Sequence, residues 1–249
     1  MDETKTKASL SLGGRERGER GSLLHALLER LYPPRCLLCG APGQAGLDLC
    51  AGCLADLPRA RHACPNCAAP VPAEGVVCGR CLRRPPRFDA ALAAFRYDEP
   101  LVGLVTGLKF HARLAHGRLL GALLAEAVRA ADVPIPDCIL PVPLHPQRLR
   151  ERGFNQALEI ARPLARAFDR PLILHEVRRS RPTRPQMALD ARARRGNVRG
   201  AFAIRPGFAP ASVALVDDVM TTGSTLDELA RVFRRAGVGY ISVWVAARA

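Results

Sequence analysis

Two groups of residues have types and spacings that can do chemistry. The first is a run of eight cysteines in four Cys-x-x-Cys pairs, Cys36/Cys39, Cys50/Cys53, Cys64/Cys67 and Cys78/Cys81, whose first members step by 14 residues. Two residues between thiolates let one tight turn offer both sulfurs to one ion, and two such pairs complete a closed, tetrahedral four-cysteine Zn²⁺ site. Disulfides are the competing use of these thiols. Residues 1–21 are polar and charged and lack the apolar core of an export signal, which predicts a reducing compartment and hence zinc. Thioredoxin-like redox chemistry needs one Cys-x-x-Cys at a helix start, not four in series. Two structural zinc sites are therefore expected, with every ligand engaged and no open position for catalysis at the metal. Spacing leaves sequential and interleaved pairing open, with some preference for the sequential one.

The second group is "VALVDDVMTTGSTL" (213–226). Apolar residues of a buried strand run into Asp217 and Asp218. A turn follows in which Thr221, Thr222, Ser224 and Thr225 surround Gly223, and a helix begins. Hydroxyl donors, a backbone that can approach a ligand closely, and the free N–H groups and partial positive charge of a helix N-terminus make a phosphate cradle. A plain helix cap explains one hydroxyl, not four, and leaves the acid pair unexplained. Neither G-x-x-x-x-G-K-[ST] nor G-x-G-x-x-G occurs in the chain, which sets aside the P-loop and the dinucleotide fingerprint. Acids beside a cradle for one phosphate point to a ribose 5-phosphate: carboxylates accept from the ring hydroxyls while the turn holds the phosphate.

These groups must be held by surrounding elements. Apolar patterning predicts strands at 90–97, within 138–144, and at 171–176, 201–204, 212–217 and 240–246. Helices are expected at 100–109, 115–131, 155–168 and 224–236, and a long loop at 177–199. Alternation of apolar strands with helices implies an α/β domain (88–249) with a parallel sheet, where ligands bind beyond the carboxyl ends of the strands. Asp217 and Asp218 fall at such an end. Upstream, a zinc-ribbon domain is expected at 33–84, an amphipathic helix at 22–32 ("SLLHALLERLY") and a disordered tail at 1–21. Cys138 and Trp244 read as core residues of strands. Hydrophobic residues make up 48% of the chain, enough for a real core, and no apolar run is long enough for a transmembrane helix. A cytoplasmic protein is expected, free or peripheral to the inner face of the membrane.

The formal net charge is +14, and only Lys5, Lys7 and Lys109 of the 37 basic residues are lysine. Arginine richness can reflect genome composition alone, but the charge is uneven. Residues 141–200 hold fourteen arginines against five acids. Such a stretch favours phosphate-bearing partners, nucleotide or nucleic acid. Eight thiolates with two Zn²⁺ ions would subtract four charges and leave about +10.

"ALVDDVMTTGST" closely resembles the signature with which type I phosphoribosyltransferases bind 5-phosphoribosyl 1-diphosphate (PRPP). Together with the four Cys-x-x-Cys pairs, "LKFHARLA" (108–115), "PVPLHPQRLRERGFNQA" (141–157) and "RPQMALDARARRGNVRGAF" (184–202), the chain resembles the ComF family of competence proteins over residues 33–249. The resemblance implies a type I phosphoribosyltransferase-like α/β fold behind a double zinc ribbon, and a PRPP site. In it, Asp217 and Asp218 meet the ribose, Val219 and Met220 lead into the loop, and Thr221, Thr222, Gly223, Ser224 and Thr225 hold the 5-phosphate. Pro141, Val142, Pro143 and Leu144 stand where the pyrophosphate loop belongs, with Lys109, Arg148 and Arg152 adding charge. Residues 178–197 correspond to a hood over the site, where Gln186, Arg194 and Asn197 match recurring positions; Arg192 and Arg195 read as solvated. The implied cofactors are two Zn²⁺ and the Mg²⁺ that accompanies PRPP.

Three functions follow from this resemblance. One is PRPP-bound handling of single-stranded DNA in natural transformation, through the basic segment 141–200 and with partners in the DNA-uptake machinery. The second is an active transferase in which an acceptor displaces pyrophosphate, and the third a PRPP-sensing regulator without catalysis. The first is the leading reading; the transferase is supported by the completeness of the PRPP constellation, yet no general base stands out. His111, His145 and His175 qualify only by residue type. Aromatic residues are 5% of the chain, so any DNA contact is expected to be backbone-dominated and salt-sensitive.

Overall fold

A computed structural model describes residues 33–44, 46–60, 62–180 and 198–249. The tail, the amphipathic helix at 22–32, and Gln186, Arg194 and Asn197 lie outside the described residues. The chain divides into two compact units, 1–51 and 52–249.

The 14-residue cysteine repeat has a structural counterpart at twice that spacing. In the first unit a knuckle closes with Cys36 N donating to Ala41 O at 2.8 Å, and Arg35 bridges Pro42. In the second unit Cys64 N donates to Ala69 O at 2.8 Å, and Ala63 bridges Pro70. The fifth residue of each knuckle, Gly40 and Ala68, is left-handed, with φ of 76° and 53°. Short helices α1 (Ala51–Ala55) and α2 (Gly79–Arg83) carry Cys53 and Cys81.

The second unit also holds the sheet. Strands β1 (Ala90–Arg96), β2 (Cys138–Pro141), β5 (Ser212–Met220) and β6 (Tyr240–Arg248) form a parallel sheet in the order β1-β6-β5-β2. Parallel strands need crossovers, supplied by helices α3 (Leu101–His111), α4 (Leu114–Ala130), α6 (Gln156–Phe168) and α7 (Ser224–Arg235). Both sheet faces are covered, which is why the strands read as continuous apolar runs rather than alternating ones. Leu226, Leu229 and Phe233 of α7 share a core cluster with Val213, Leu215, Ile241 and Val243. Across the sheet α4 packs on β1, β6 and α6, and Phe168 of α6 packs at a tilt of 51° against the buried Trp244 with ring centroids 5.7 Å apart. Cys138 is buried as expected, and burial pushes its thiol up to about 11. Among the described residues no helix is long and apolar enough to cross a membrane.

Three local expectations need correction. Residues 171–176 do not form a strand; Leu172 makes one parallel bridge to Ile139. The strand lies instead within the segment expected as loop: β3 (Val177–Arg179) pairs antiparallel with β4 (Phe202–Ile204). This ribbon brings together the two chain ends flanking residues 181–197. Helix α5 (Pro146–Arg152) has no counterpart among the expected helices, although Pro146 at its first turn and left-handed Gly153 at its end are start and stop signals. In addition, β5 continues to Met220, so the acids lie inside the strand's last turn of pleat and the loop proper starts at Thr221.

Candidate functional site

The eight cysteines fall into two quartets in sequential order, Cys36, Cys39, Cys50, Cys53 and Cys64, Cys67, Cys78, Cys81, each with sulfurs within 4.8 Å of one another. Tetrahedral Zn–S bonds near 2.3 Å place neighbouring sulfurs about 3.8 Å apart. The Cys39–Cys50 and Cys67–Cys78 sulfurs are 3.7 and 3.6 Å apart, far beyond the roughly 2 Å of a disulfide. The donor sets fit Zn²⁺, and each quartet is complete by itself.

The acids sit at the carboxyl end of β5. Successive strand residues face opposite sides of a sheet, so Asp217 and Asp218 approach the site from different faces. Asp218 is buried at 3% exposure and ion-paired to Lys109 of α3. Burial alone would raise Asp218, but the Lys109 ammonium overrides it and holds the carboxyl below its ordinary range. Lys109 is likewise disfavoured as a cation by burial and raised above its usual value by Asp218. Apart from Lys109, no described group bonds the Oδ2 atom of Asp218. Asp217 accepts from the Asp218 amide at 2.9 Å; burial and the adjacent Asp218 charge push it well above the usual carboxylate range.

Beyond the acids the chain turns through Thr221–Gly223 into α7. Gly223 is left-handed (φ 74°) and is the N-cap, so the capping residue itself offers no side chain. Thr222 and Ser224 hydroxyls bond each other at 2.6 Å, and Ser224 N donates to Thr222 Oγ1 at 3.3 Å. Among the described residues the amides of Thr221, Thr222 and Gly223 meet no acceptor. The Thr222 hydroxyl thus takes the first amide of α7, as a plain cap would, while the amides ahead of it stay open.

One cavity of about 450 Å³ gathers most of the expected residues: Asp217, Asp218, Val219, Met220, Thr221, Gly223, Ser224, Thr225, Val142, Leu144, Lys109, Arg148 and Arg152 line it. Pro141 is buried in β2 and, like Pro143 and Thr222, is not part of the lining. The turn after β2 is a sparser donor set than its sequence implies. Prolines have no N–H, and Val142 N is already bonded to Val216 O at 2.8 Å, so the amides of Leu144 and His145 remain. Asn155 caps α6 through Ala157 N and reaches back to Val142 O at 3.1 Å, fixing this turn.

Sequence reading misses Tyr97, Phe110, Gln156 and Arg179 in the same lining. Arg179 comes from β3, within the segment expected as loop, and lies 5.4 Å over the Phe202 ring. Phe110 is 58% exposed at the rim, with Arg152 5.9 Å from its ring centroid. Arg152 also donates to Gln156 at 2.5 Å. Of the three candidate histidines only His145 lines this cavity; His111 and His175 are exposed elsewhere. His145 Nδ1 accepts from Gln147 N at 3.3 Å, so only Nε2 is left to face the cavity. A second hollow, about 410 Å³, between β4 and the end of α7 contains none of the expected residues.

Residues 27–82 match the family described as Double zinc ribbon domain. Competence protein F of Haemophilus influenzae is 37% identical over 223 residues, covering 86% of this chain and 97% of its own length. The chain belongs to the ComF family. The DNA utilization protein YhgH of Escherichia coli is 34% identical to this ComF-family chain over 221 residues, covering 87% of it and 97% of the relative. Among solved structures, TT1426 from Thermus thermophilus aligns with 52% of the ComF-family chain and 72% of its own, at 20% identity and a TM-score of 0.32, too loose a likeness to bear on the fold.

Proposed function

We propose that the cavity binds PRPP, with Mg²⁺ on its diphosphate, and that the protein uses this ligand while handling single-stranded DNA during uptake in natural transformation. The observation that carries the ligand is the meeting, in one cavity, of two acids, a turn in which the amides of Thr221 and Gly223 meet no acceptor among the described residues, and the cations Lys109, Arg148, Arg152 and Arg179. In this reading the amides of Thr221–Gly223 and the hydroxyls of Ser224 and Thr225 hold the 5-phosphate. Asp217 and Asp218 accept from the ribose hydroxyls. The four cations and the Leu144 and His145 amides face the diphosphate, whose charge Mg²⁺ partly neutralises when bound. The DNA part rests on relatives named for competence and DNA utilization, on the basic run 141–200, and on exposed Phe110 at the rim, a ring on which a base can stack.

Transfer is the second reading, and the cations at the diphosphate end favour it. An acceptor would attack ribose C1 as the C1–O bond breaks and the pair of electrons leaves with the diphosphate. His145 Nδ1 is taken by the Gln147 amide, so only its Nε2 can reach a ligand, and no group in the cavity is assigned as the base for the acceptor's proton. Ligand binding without transfer, as in a PRPP-sensing regulator, uses the same site.

A thermal-shift series tests the ligand. PRPP with Mg²⁺ at a hundredfold excess over its Kd should stabilise the protein by about 2.7 kcal/mol, and ribose 5-phosphate or pyrophosphate alone by less. Equal shifts from pyrophosphate alone would assign the cavity to the diphosphate and remove the ribose.

A further inference from the structure

The second cysteine quartet and the phosphate turn lie in the same compact unit and are joined by two arginines. Arg80, from α2 between Cys78 and Cys81, donates through Nη1 to Thr222 O at 2.9 Å. Arg248, at the end of β6, donates through Nε to Cys67 O at 3.1 Å and through Nη1 to Met220 O at 2.9 Å. Arg248 is buried at 8% exposure, and among the described residues no carboxylate pairs with it. A buried guanidinium without a counter-charge is costly. Four thiolates around one Zn²⁺ carry a net charge of −2, and this is the negative group that Arg248 and Arg80 adjoin.

The geometry of the peptide bond gives these contacts a consequence. In a trans peptide the C=O and the next N–H point in opposite directions. Holding Met220 O toward Arg248 turns the Thr221 N–H away from it, and holding Thr222 O toward Arg80 does the same for Gly223 N–H. These are two of the three amides that meet no acceptor. Met220 O also accepts from Ala249 N at 3.1 Å, so Arg248 shares the holding of the first plane, while Arg80 holds the second; both arginines act from behind the turn, on the side of the metal.

We propose that the second zinc ribbon is a positioning element for the phosphate turn: through Arg80 and Arg248, the metal-loaded quartet holds the Thr221 and Gly223 amides aimed at the ligand. This rests on the sugar-phosphate reading of the turn for its purpose, but the coupling itself can be measured without a ligand. Arg80 is an exposed positioning residue, so its substitution does not threaten folding.

The test compares the full zinc-loaded chain with Arg80→Ala, Arg80→Lys, Arg83→Ala (the same helix and charge, without the contact) and Cys78→Ser. The Thr221 and Gly223 amide resonances are followed by NMR without ligand, and PRPP·Mg²⁺ affinity by calorimetry. Both resonances should shift or broaden, and affinity fall at least about tenfold, in Arg80→Ala and Cys78→Ser. Arg80→Lys should recover part of both, and Arg83→Ala should match the unsubstituted chain. Unchanged Thr221 and Gly223 resonances in Arg80→Ala and Cys78→Ser overturn the coupling whatever PRPP does. If the resonances respond but the unsubstituted chain binds no PRPP, the coupling stands and the ligand assignment falls.

Discussion

The pair that sets the electrostatics of the site is Lys109 and Asp218. Asp218 is nearly inaccessible and stays ionised because an ammonium meets it. Removing that partner leaves a buried carboxylate alone, which costs about 3–5 kcal/mol in comparable cases. Lys109→Met should therefore destabilise the protein at neutral pH by that order, read by urea denaturation. The sign with pH is fixed. A carboxyl held low in the folded state stabilises above its unfolded pKa and loses that contribution as the pH falls through its folded pKa. The gap between the parent and Lys109→Met should thus narrow toward acid pH; a gap that widens would contradict the pairing. Asp217 behaves oppositely. Its folded pKa is raised, so a ligand that needs its carboxylate must displace a proton, and PRPP affinity should rise with pH. In Asp217→Asn the part of that slope due to this proton should vanish, leaving only the titration of the ligand's own phosphates. The acids and the hydroxyl turn were legible because their spacing is local. Lys109 could be placed near the site only by resemblance, and its role as the partner of Asp218 arises from a helix brought in over more than a hundred residues.

Elements were legible where a long apolar period marked them. Strands β1, β5 and β6 and helices α3, α4, α6 and α7 fall close to their expected positions because each buries a continuous face. Helix α5 has no such face: "PQRLRER" has no buried residue, and only its end signals mark it. Strand β3 was hidden because Arg178 and Arg179 read as loop, although pairing with β4, which falls within the strand expected at 201–204, makes Val177–Arg179 a strand. Close packing between elements was equally invisible. Gly121 of α4 faces the backbone of α6: a Cβ there would come 2.3 Å from Ile160 O. Gly121→Ala must push the two helices apart, and a loss of about 1–3 kcal/mol is expected from the midpoint of chemical unfolding. A variant as stable as the parent would mean that the α4–α6 approach is looser than it stands here.

For the molecule as a whole, two traits of the sequence led to the same place. The cysteine repeat announced two metal sites, and their sequential grouping, left open by spacing, is set by the fold, which brings each knuckle pair against the pair that follows it in the chain. The basic charge announced a phosphate-bearing partner without naming it. If single-stranded DNA is that partner, binding followed by anisotropy should weaken linearly in log–log fashion with salt, with a slope of about −0.7 per phosphate neutralised. Charge reversal at Arg148 and Arg150 should flatten that slope; binding indifferent to salt would remove the nucleic-acid role. The claim on which the rest depends is the ligand. Isothermal titration of the zinc-loaded protein with PRPP and Mg²⁺ tests it most directly. The account predicts saturable binding at one site per chain, lost in the double variant Asp217→Asn, Asp218→Asn while the fold is retained. No heat of binding in the parent, or equal binding in the double variant, would contradict it.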